Sequence, residues 1–257
     1  MKKLLTVLIA VVAVVAHLGV PRFASAQQMA QPENFRFELE YRRWRPKLIA
    51  DLEVGGPPIY PSTDLGLGDE RTNDYRGSLR LSPRLRIRGS YLKTLKYEGT
   101  QVLSRTLTYR GVTFLAGDTV TTAVQIDQFK GGISIEFLQS RDGFLGVTVD
   151  YSRLESRPSL QSAAAGTASG PLRVSLPTVG FVGRVYLTPR LVLTAEASGM
   201  KRESQGVIAE FEGMATANIN PRLGLAVGYR NFYARIAQDG RAAYRLKGPF
   251  FSVTARI

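Results

Sequence analysis

The sequence contains no cysteine and a single histidine, His17, among its 257 residues. The absence of cysteine excludes a disulfide framework, a thiolate zinc site and a lipidated N-terminal cysteine. Long apolar runs are also scarce, since the one such run lies in the first twenty residues. A bundle of membrane helices is therefore disfavoured, and the hydrophobic content of 44% is ordinary for a folded chain.

The N-terminal apolar run has the order of a secretory signal peptide. Met1–Lys3 is a short positive start, Leu4–Val20 is almost wholly apolar, and Ala24–Ala26 matches the small-x-small cleavage pattern. An uncleaved membrane anchor fits less well, because the apolar stretch runs directly into this cleavage site. We therefore predict a cleaved signal peptide at residues 1–26 and a mature domain at residues 27–257.

Cleavage at that site changes the chemistry that the chain can perform. The segment carries Lys2, Lys3 and Arg22 but no acid, so its removal lowers the formal charge from +13 to +10. It also removes His17, which leaves the mature domain without imidazole or thiol groups. Imidazole catalysis and histidine metal sites are thereby excluded, and we expect no enzyme and no cofactor.

The mature chain is dominated by alternation of apolar and polar residues with period two, which predicts β-strands. Between Phe35 and Arg42, for example, odd positions are apolar and even positions are charged. No segment shows a sustained helical period. We count ten strands, with eight or twelve as alternatives, from segments that include Phe35, Tyr75, Leu85, Ile133, Leu145, Val179, Leu191, Val207, Leu223 and Phe251.

Short turns and long connections alternate along these strands. Leu or Ile followed by x-P-R-L occurs at 81–85, 187–191 and 219–223, where Ser, Thr or Asn before Pro initiates a tight turn. A fourth tight turn occurs at 140–143. The turn residues are Pro83, Asp142, Gly143, Pro189 and Pro221. The long connections are Gly55–Asn73, Glu98–Asp118 and Glu155–Arg173. This alternation and the even count predict an up-and-down antiparallel barrel in one domain.

The polar face of the strands carries ionisable side chains of both signs in mid-strand. The apolar face is about nine to eleven residues long, which suffices to cross a membrane. We therefore expect the apolar face to contact lipid and the charged face to line the lumen as an ion-pair network. The residues assigned to this network are Arg36, Glu38, Glu40, Arg42, Arg76, Arg80, Arg86, Arg88, Glu136, Asp150, Arg184, Glu196, Glu210, Glu212 and Arg230.

The signal peptide, the x-P-R-L turns and the closing strand F-F-S-V-T-A-R-I resemble those of small bacterial outer-membrane β-barrel proteins. In that superfamily the closing strand usually ends in an aromatic residue and is recognised by the barrel-assembly machinery. Here Phe251, Val253 and Ala255 keep the alternation, but the chain ends in Ile257. The resemblance implies a transmembrane barrel in the bacterial outer membrane, with short periplasmic turns, longer extracellular loops and the assembly machinery as a partner.

Two further sets of residues are expected at the membrane boundaries. Aromatic girdles are predicted at Phe35, Trp44, Tyr75, Tyr97, Phe144, Tyr151, Tyr229, Tyr233 and Phe251. Cations near the extracellular rim are expected to attract phosphates of outer-membrane lipids, including lipopolysaccharide; they are Lys93, Lys96, Arg105, Arg110, Arg153, Lys201 and Arg202. Nucleic acid is not expected as a partner, because the arginines are spread along strands rather than clustered, and we expect a monomer.

Three functions remain open at the level of sequence. The first is a structural or surface-interaction barrel whose lumen is largely filled by salt bridges. The second is a narrow pore for small solutes, and the third is a soluble periplasmic barrel that binds a ligand. The carboxylate pairs Glu38/Glu40 and Glu210/Glu212 are expected to balance arginines rather than catalyse, and the acidic residues Asp69, Glu70 and Asp74 match no calcium loop.

Overall fold

In the computed structural model of this protein, residues 35–53, 64–237 and 241–257 are described. The predicted signal peptide lies outside them. The strands are β1 (Phe37–Trp44), β2 (Lys47–Glu53), β3 (Thr72–Ser82), β4 (Leu85–Val102), β5 (Leu107–Tyr109), β6 (Val112–Phe114), β7 (Thr119–Ser140), β8 (Gly143–Ser162), β9 (Gly166–Ser169), β10 (Leu172–Tyr186), β11 (Leu191–Arg202), β12 (Gly206–Asn220), β13 (Leu223–Ile236) and β14 (Arg241–Arg256). No helix in these ranges is long and apolar enough to cross a membrane.

Ten of these strands form a closed antiparallel barrel in the order β1-β3-β4-β7-β8-β10-β11-β12-β13-β14, and β14 pairs back to β1. After a break at Arg45 and Pro46, β2 continues the path of β1 and pairs with the other half of β14. β9 pairs antiparallel with the last residues of β8, and β5 and β6 form a separate hairpin. The prediction of an all-β, up-and-down barrel of about ten strands is confirmed.

The outer surface of the barrel carries a continuous apolar belt. On β7 the outward side chains Phe129, Ile133, Ile135 and Phe137 are 38–50% exposed. They span nine residues, the length that a tilted strand needs to cross the hydrocarbon layer. Exposed apolar side chains of the same belt on other strands are Leu39, Ile87, Val149, Val179, Phe181, Leu193, Phe211, Val227 and Phe251. This outward arrangement is that of a transmembrane barrel.

Aromatic side chains mark one edge of this belt. Tyr41, Tyr75, Tyr91 and Phe129 are successive cross-strand partners on β1, β3, β4 and β7, and all four rings face outward. Other residues predicted for the girdles instead face the interior, because a position near a strand end does not by itself choose a face: Phe35, Trp44, Tyr97 and Phe144.

Beyond the aromatic row the polarity of the strands inverts. In residues 119–128 of β7 the inward side chains Val124 and Ile126 are buried and apolar, whereas the outward ones include Gln125 and Asp127. About ten residues of β7 therefore project from the membrane, which is roughly 33 Å along the strand. The predicted connections Glu98–Asp118 and Glu155–Arg173 are in part wrong: β4 continues to Val102 and the β5–β6 hairpin follows it, while β8 and β9 occupy most of the second connection.

The projecting end encloses an apolar cluster that is covered from above. Leu65 belongs to the segment 64–71, which lies outside any strand, and Leu107 and Phe114 belong to the β5–β6 hairpin; all three are at most 3% exposed. The hairpin turns at Arg110 and Gly111, both with positive φ, and the Arg110 guanidinium donates to the carbonyl of Pro171 at 3.2 Å. The covered cluster closes this end of the bore.

Candidate functional site

The part of the bore that the apolar belt surrounds is lined by the charged side chains of the barrel strands. Fourteen of the fifteen residues that the sequence assigns to the lumen lie on the inward face of these strands. Arg36 does not, because it precedes β1 and its side chain is exposed. We call the end of the barrel with the four short turns the turn end, and the opposite, projecting end the loop end.

Nearest the turn end, Glu136 of β7 is the centre of one ion-pair group. Its carboxylate lies 2.6 Å from the Arg86 guanidinium and 3.6 Å from that of Arg80, and Glu136 is 1% exposed. The ring of Phe35 covers these guanidinium groups, with centroid distances of 5.2 Å to Arg86 and 6.0 Å to Arg80. Charge and cation–π contacts therefore fill this level together.

Glu38 of β1 forms a second group at the same end. Its carboxylate accepts hydrogen bonds from Arg256 at 2.8 Å and from Arg184 at 3.3 Å. A further nitrogen of Arg256 donates to Asn218 at 2.7 Å. These contacts join β1, β10, β12 and β14, which are held together across the bore as well as along the ladder.

The middle of the bore is organised around Lys130 of β7. Its ammonium lies 2.8 Å from Glu196, 3.3 Å from Glu210 and 3.6 Å from Asp150. Arg88 binds two of the same carboxylates, with its Nε 2.9 Å from Asp150 and its other nitrogens on Glu196. Three acids from β8, β11 and β12 thus share two cations from β4 and β7.

Arg42 and Arg76 form the next level toward the loop end. Both bind Glu212, at 2.6 Å and 2.7 Å respectively. Arg42 also lies 2.8 Å from Glu40, and its guanidinium stacks 4.3 Å from the centroid of the Phe250 ring. Arg42 is 2% exposed, so its charge is balanced entirely by neighbouring protein groups.

Arg230 of β13 closes the charged layer against the apolar cluster. It pairs with Glu210 at 2.7 Å and with Asp74 at 3.1 Å, and it donates to the Gln128 amide oxygen at 2.8 Å. The ring of Trp44 covers it at 4.6 Å. The apolar cluster begins directly beyond this ring.

The two signs nearly cancel within the layer. Nine cations face eight acids, and unpaired burial of such groups would be very unfavourable. The cavity that remains has a volume of about 120 Å³, room for several water molecules. The charged residues are Arg42, Arg76, Arg80, Arg86, Arg88, Lys130, Arg184, Arg230 and Arg256 with Glu38, Glu40, Asp74, Glu136, Asp150, Glu196, Glu210 and Glu212.

Sequence reasoning missed three members of this layer: Asp74, Lys130 and Arg256. Asp74 and Lys130 share the phase of Arg76 and Glu136 but lie just outside the predicted strand segments, whereas Arg256 lies within the predicted closing strand. Asp74, grouped in the sequence with the acids Asp69 and Glu70, lies in β3 and is 1% exposed. It is two positions before Arg76, so the alternation of the strand places both side chains on the inward face. In the described part of the chain, no group of three or more His, Cys, Asp or Glu side chains could hold a metal ion.

The predicted turn and closing-strand residues lie at the turn end. Pro83, Asp142, Pro189 and Pro221 occupy the four short turns, and Gly143 is the first residue of β8. Phe251, Val253 and Ala255 face outward on β14, and Ile257 follows its last residue, 78% exposed. The backbone N–H and C=O of Ile257 both bond to Phe37, so the last residue still takes part in barrel closure.

Comparisons with known proteins give similarities of overall architecture. No family model and no curated protein matches this sequence. The outer-membrane protease OmpT of Escherichia coli aligns with a TM-score of 0.49 and 10% identity over 91% of this chain and 100% of that one. The transport unit of the E. coli autotransporter AIDA-I gives 0.41 and 8% over 96% and 97%. Ail, the attachment invasion locus protein of Yersinia pestis, crystallised with a heparin analogue, gives 0.39 and 7% over 84% and 99%. These similarities assign no activity, ligand or partner to this chain.

Proposed function

We propose that this protein is an integral outer-membrane β-barrel with a closed bore and a structural or surface-interaction role. The supporting observation is that side chains occupy most of the bore and leave a cavity of about 120 Å³ within the charged layer. Ion pairs occupy the part inside the membrane belt, and the covered apolar cluster occupies the projecting part. A ten-stranded barrel has little more room than an eight-stranded one, whose interior is just filled by its own side chains.

The outer membrane is the proposed location, on the combined support of the predicted signal peptide and the apolar belt. In lipid, closure of the sheet leaves no unpaired edge, which a spanning β-structure requires. A soluble ligand-binding barrel is a poorer candidate, because it would turn its apolar residues inward along the whole strand, whereas Val227 in mid-belt is 61% exposed. Insertion would use the barrel-assembly machinery, with β14 as the signal strand.

Catalysis is not part of the proposal. The mature domain lacks histidine and cysteine, and each carboxylate in the bore contacts at least one guanidinium or ammonium group. Carboxylates paired in this way balance the buried cations of the bore. We propose a monomeric, non-enzymatic barrel that does not bind nucleic acid.

A closed bore predicts low conductance in planar bilayers. We expect the wild-type protein to show at most small, flickering currents rather than steady porin-like steps. The double substitution Glu38→Gln with Glu40→Gln removes partners of Arg42, Arg184 and Arg256, so it should destabilise the barrel and raise the leak. Single-channel recording and urea unfolding measure the two effects.

A matched control is Glu98→Gln with Glu203→Gln, which removes the same charge from exposed sites at the loop end. It should change neither the current nor the unfolding midpoint. A porin-sized wild-type conductance that the bore substitutions leave unaltered would contradict the closed bore and favour the narrow-pore function instead.

Lipid phosphates, including those of lipopolysaccharide, are the proposed partners of the outer wall beyond the belt. Arg153, Arg157 and Arg173 lie there, half-exposed, and all three contact Glu155 at 2.8–3.3 Å. A hydrogen bond from Arg173, joined by one from Arg157, lowers the pKa of Glu155 to about 2. The carboxylate therefore stays ionised near neutral pH and holds three guanidinium groups together, with donors left for phosphate oxygens.

The proposed orientation places the turn end in the periplasm and the loop end, with the predicted loops around 62–70 and 158–170, outside the cell. Because the natural chain has no cysteine, single cysteines report topology without background. We expect Ala164→Cys to react with an impermeant maleimide on whole cells and Ser82→Cys to react only after lysis, since both positions are exposed. If Ser82→Cys but not Ala164→Cys is labelled on whole cells, the orientation is the reverse of the one proposed.

A further inference from the structure

The recurrent x-P-R-L motif contains an arginine that the turn itself does not require. In each copy, the residue before proline accepts a hydrogen bond from the backbone N–H of the arginine, and proline presets φ. These bonds run from Arg84 to Ser82 (3.4 Å), from Arg190 to Thr188 (3.2 Å) and from Arg222 to Asn220 (2.8 Å). The turn geometry is thus supplied by Ser, Thr or Asn together with Pro.

The backbone carbonyls of these arginines are also occupied. They accept hydrogen bonds from the next strand: Arg84 from Glu136 (2.8 Å), Arg190 from Asn218 (2.7 Å) and Arg222 from Arg256 (2.7 Å). Any amino acid could make these main-chain contacts. The arginine side chains must therefore be explained by something other than turn formation.

The fourth short turn repeats the same charge. Arg141 lies there, and the side chains of Arg84, Arg141, Arg190 and Arg222 are all exposed. Over residues 35–53, 64–237 and 241–257, none of the four forms an ion pair. Asp142 is the one acid in these turns. The turn end thus presents four like charges on its short turns.

The depth of these arginines follows from their neighbours. Leu81, Leu187 and Ile219 begin the three motifs, and their side chains are 53%, 48% and 59% exposed at the edge of the apolar belt. Each arginine follows three residues later, beyond that edge. Its guanidinium therefore lies at the depth of lipid headgroups, within reach of their phosphates.

We propose that these four turn arginines form a binding surface for the phosphates of anionic phospholipids in the inner leaflet of the outer membrane. The proposal rests on the membrane location and orientation given above. A guanidinium group binds phosphate through two parallel hydrogen bonds. Each cation near an anionic lipid surface increases the affinity for that surface roughly fivefold. The short turns then select lipids as well as connecting strands.

The test compares lipid retention by native mass spectrometry after reconstitution in equal parts of phosphatidylethanolamine and phosphatidylglycerol. Wild-type protein should retain phosphatidylglycerol preferentially. The ratio of retained phosphatidylglycerol to phosphatidylethanolamine should fall at least roughly fivefold in the variant with Arg84→Gln, Arg141→Gln, Arg190→Gln and Arg222→Gln. The corresponding four Arg→Lys substitutions should keep most of it, because the charge remains.

A second variant controls for net charge. Lys47→Gln, Arg71→Gln, Arg235→Gln and Arg245→Gln remove four exposed cations from the loop-end side, none of them among the rim cations predicted to bind lipid phosphates, and should lower the preference less than twofold. Equal losses in both variants, or no wild-type preference, would overturn the proposal.

If the variant with all four turn substitutions does not fold, the single variants Arg84→Gln and Arg190→Gln should each lose part of the preference for phosphatidylglycerol. No loss in either single variant would overturn the proposal. Conductance and heat-dependent gel mobility of the same samples test the barrel itself, so its failure is distinguished from failure of the lipid surface.

Discussion

Lys130→Met is expected to lower the free energy of unfolding by about 3–5 kcal/mol, as removal of one partner of a buried ion pair does. The ammonium of Lys130 lies within 3.6 Å of Glu196, Glu210 and Asp150, and the residue is 6% exposed. Without it, Asp150 and Glu196 keep Arg88 as their cationic partner and Glu210 keeps Arg230, so the three acids share one positive charge fewer. Urea unfolding in lipid, monitored by heat-dependent gel mobility, measures the change in the free energy of unfolding.

Two comparisons make this result specific. Adding Glu210→Gln to Lys130→Met removes one of the three acids that lost a cationic partner and should recover part of the stability. Lys96→Met breaks the exposed pair with Glu98 beyond the belt, where an ion pair is worth about 0–1 kcal/mol. A Lys130→Met protein as stable as the wild type would show that water or ions, rather than Lys130, balance the central carboxylates.

Val227→Arg should destabilise the inserted barrel by roughly 2–4 kcal/mol, the cost of an arginine facing lipid near the midplane. Val227 lies in the middle of the outward row of β13, between Leu225 and Tyr229, and is 61% exposed. Folding into lipid vesicles at graded urea concentrations gives the free energy directly.

The control is Gln161→Arg on β8, which is also exposed on the outer wall but lies ten residues beyond Tyr151, outside the belt. We expect it to cost little, because its charge stays in water. Equal stability of Val227→Arg and wild type in lipid would mean that the outward apolar surface is not a lipid-facing belt, and the transmembrane placement would fail with it.

The sequence by itself determined the strand phase over most of the barrel, an up-and-down barrel of about ten strands, and the four short turns. These features are local, since alternation with period two fixes which side chains share a face, and Ser, Thr or Asn before Pro fixes a turn within four residues. For the same reason, the inward face of Arg42, Glu212 and Arg230 followed from the phase of their strands.

Tertiary structure decided where the apolar belt ends and which charged side chains form ion pairs. β7 continues past Phe129 with the same phase but opposite polarity, whereas on β4 an irregularity between Leu92 and Leu95 shifts the phase. Only the enclosed cluster around Leu95 and Ile126 makes apolar side chains face inward there. Pairing in the bore joins residues far apart in the chain, such as Arg88 with Glu196 and Arg76 with Glu212. Such partners depend on the shear of a closed barrel, a global property that no local pattern encodes.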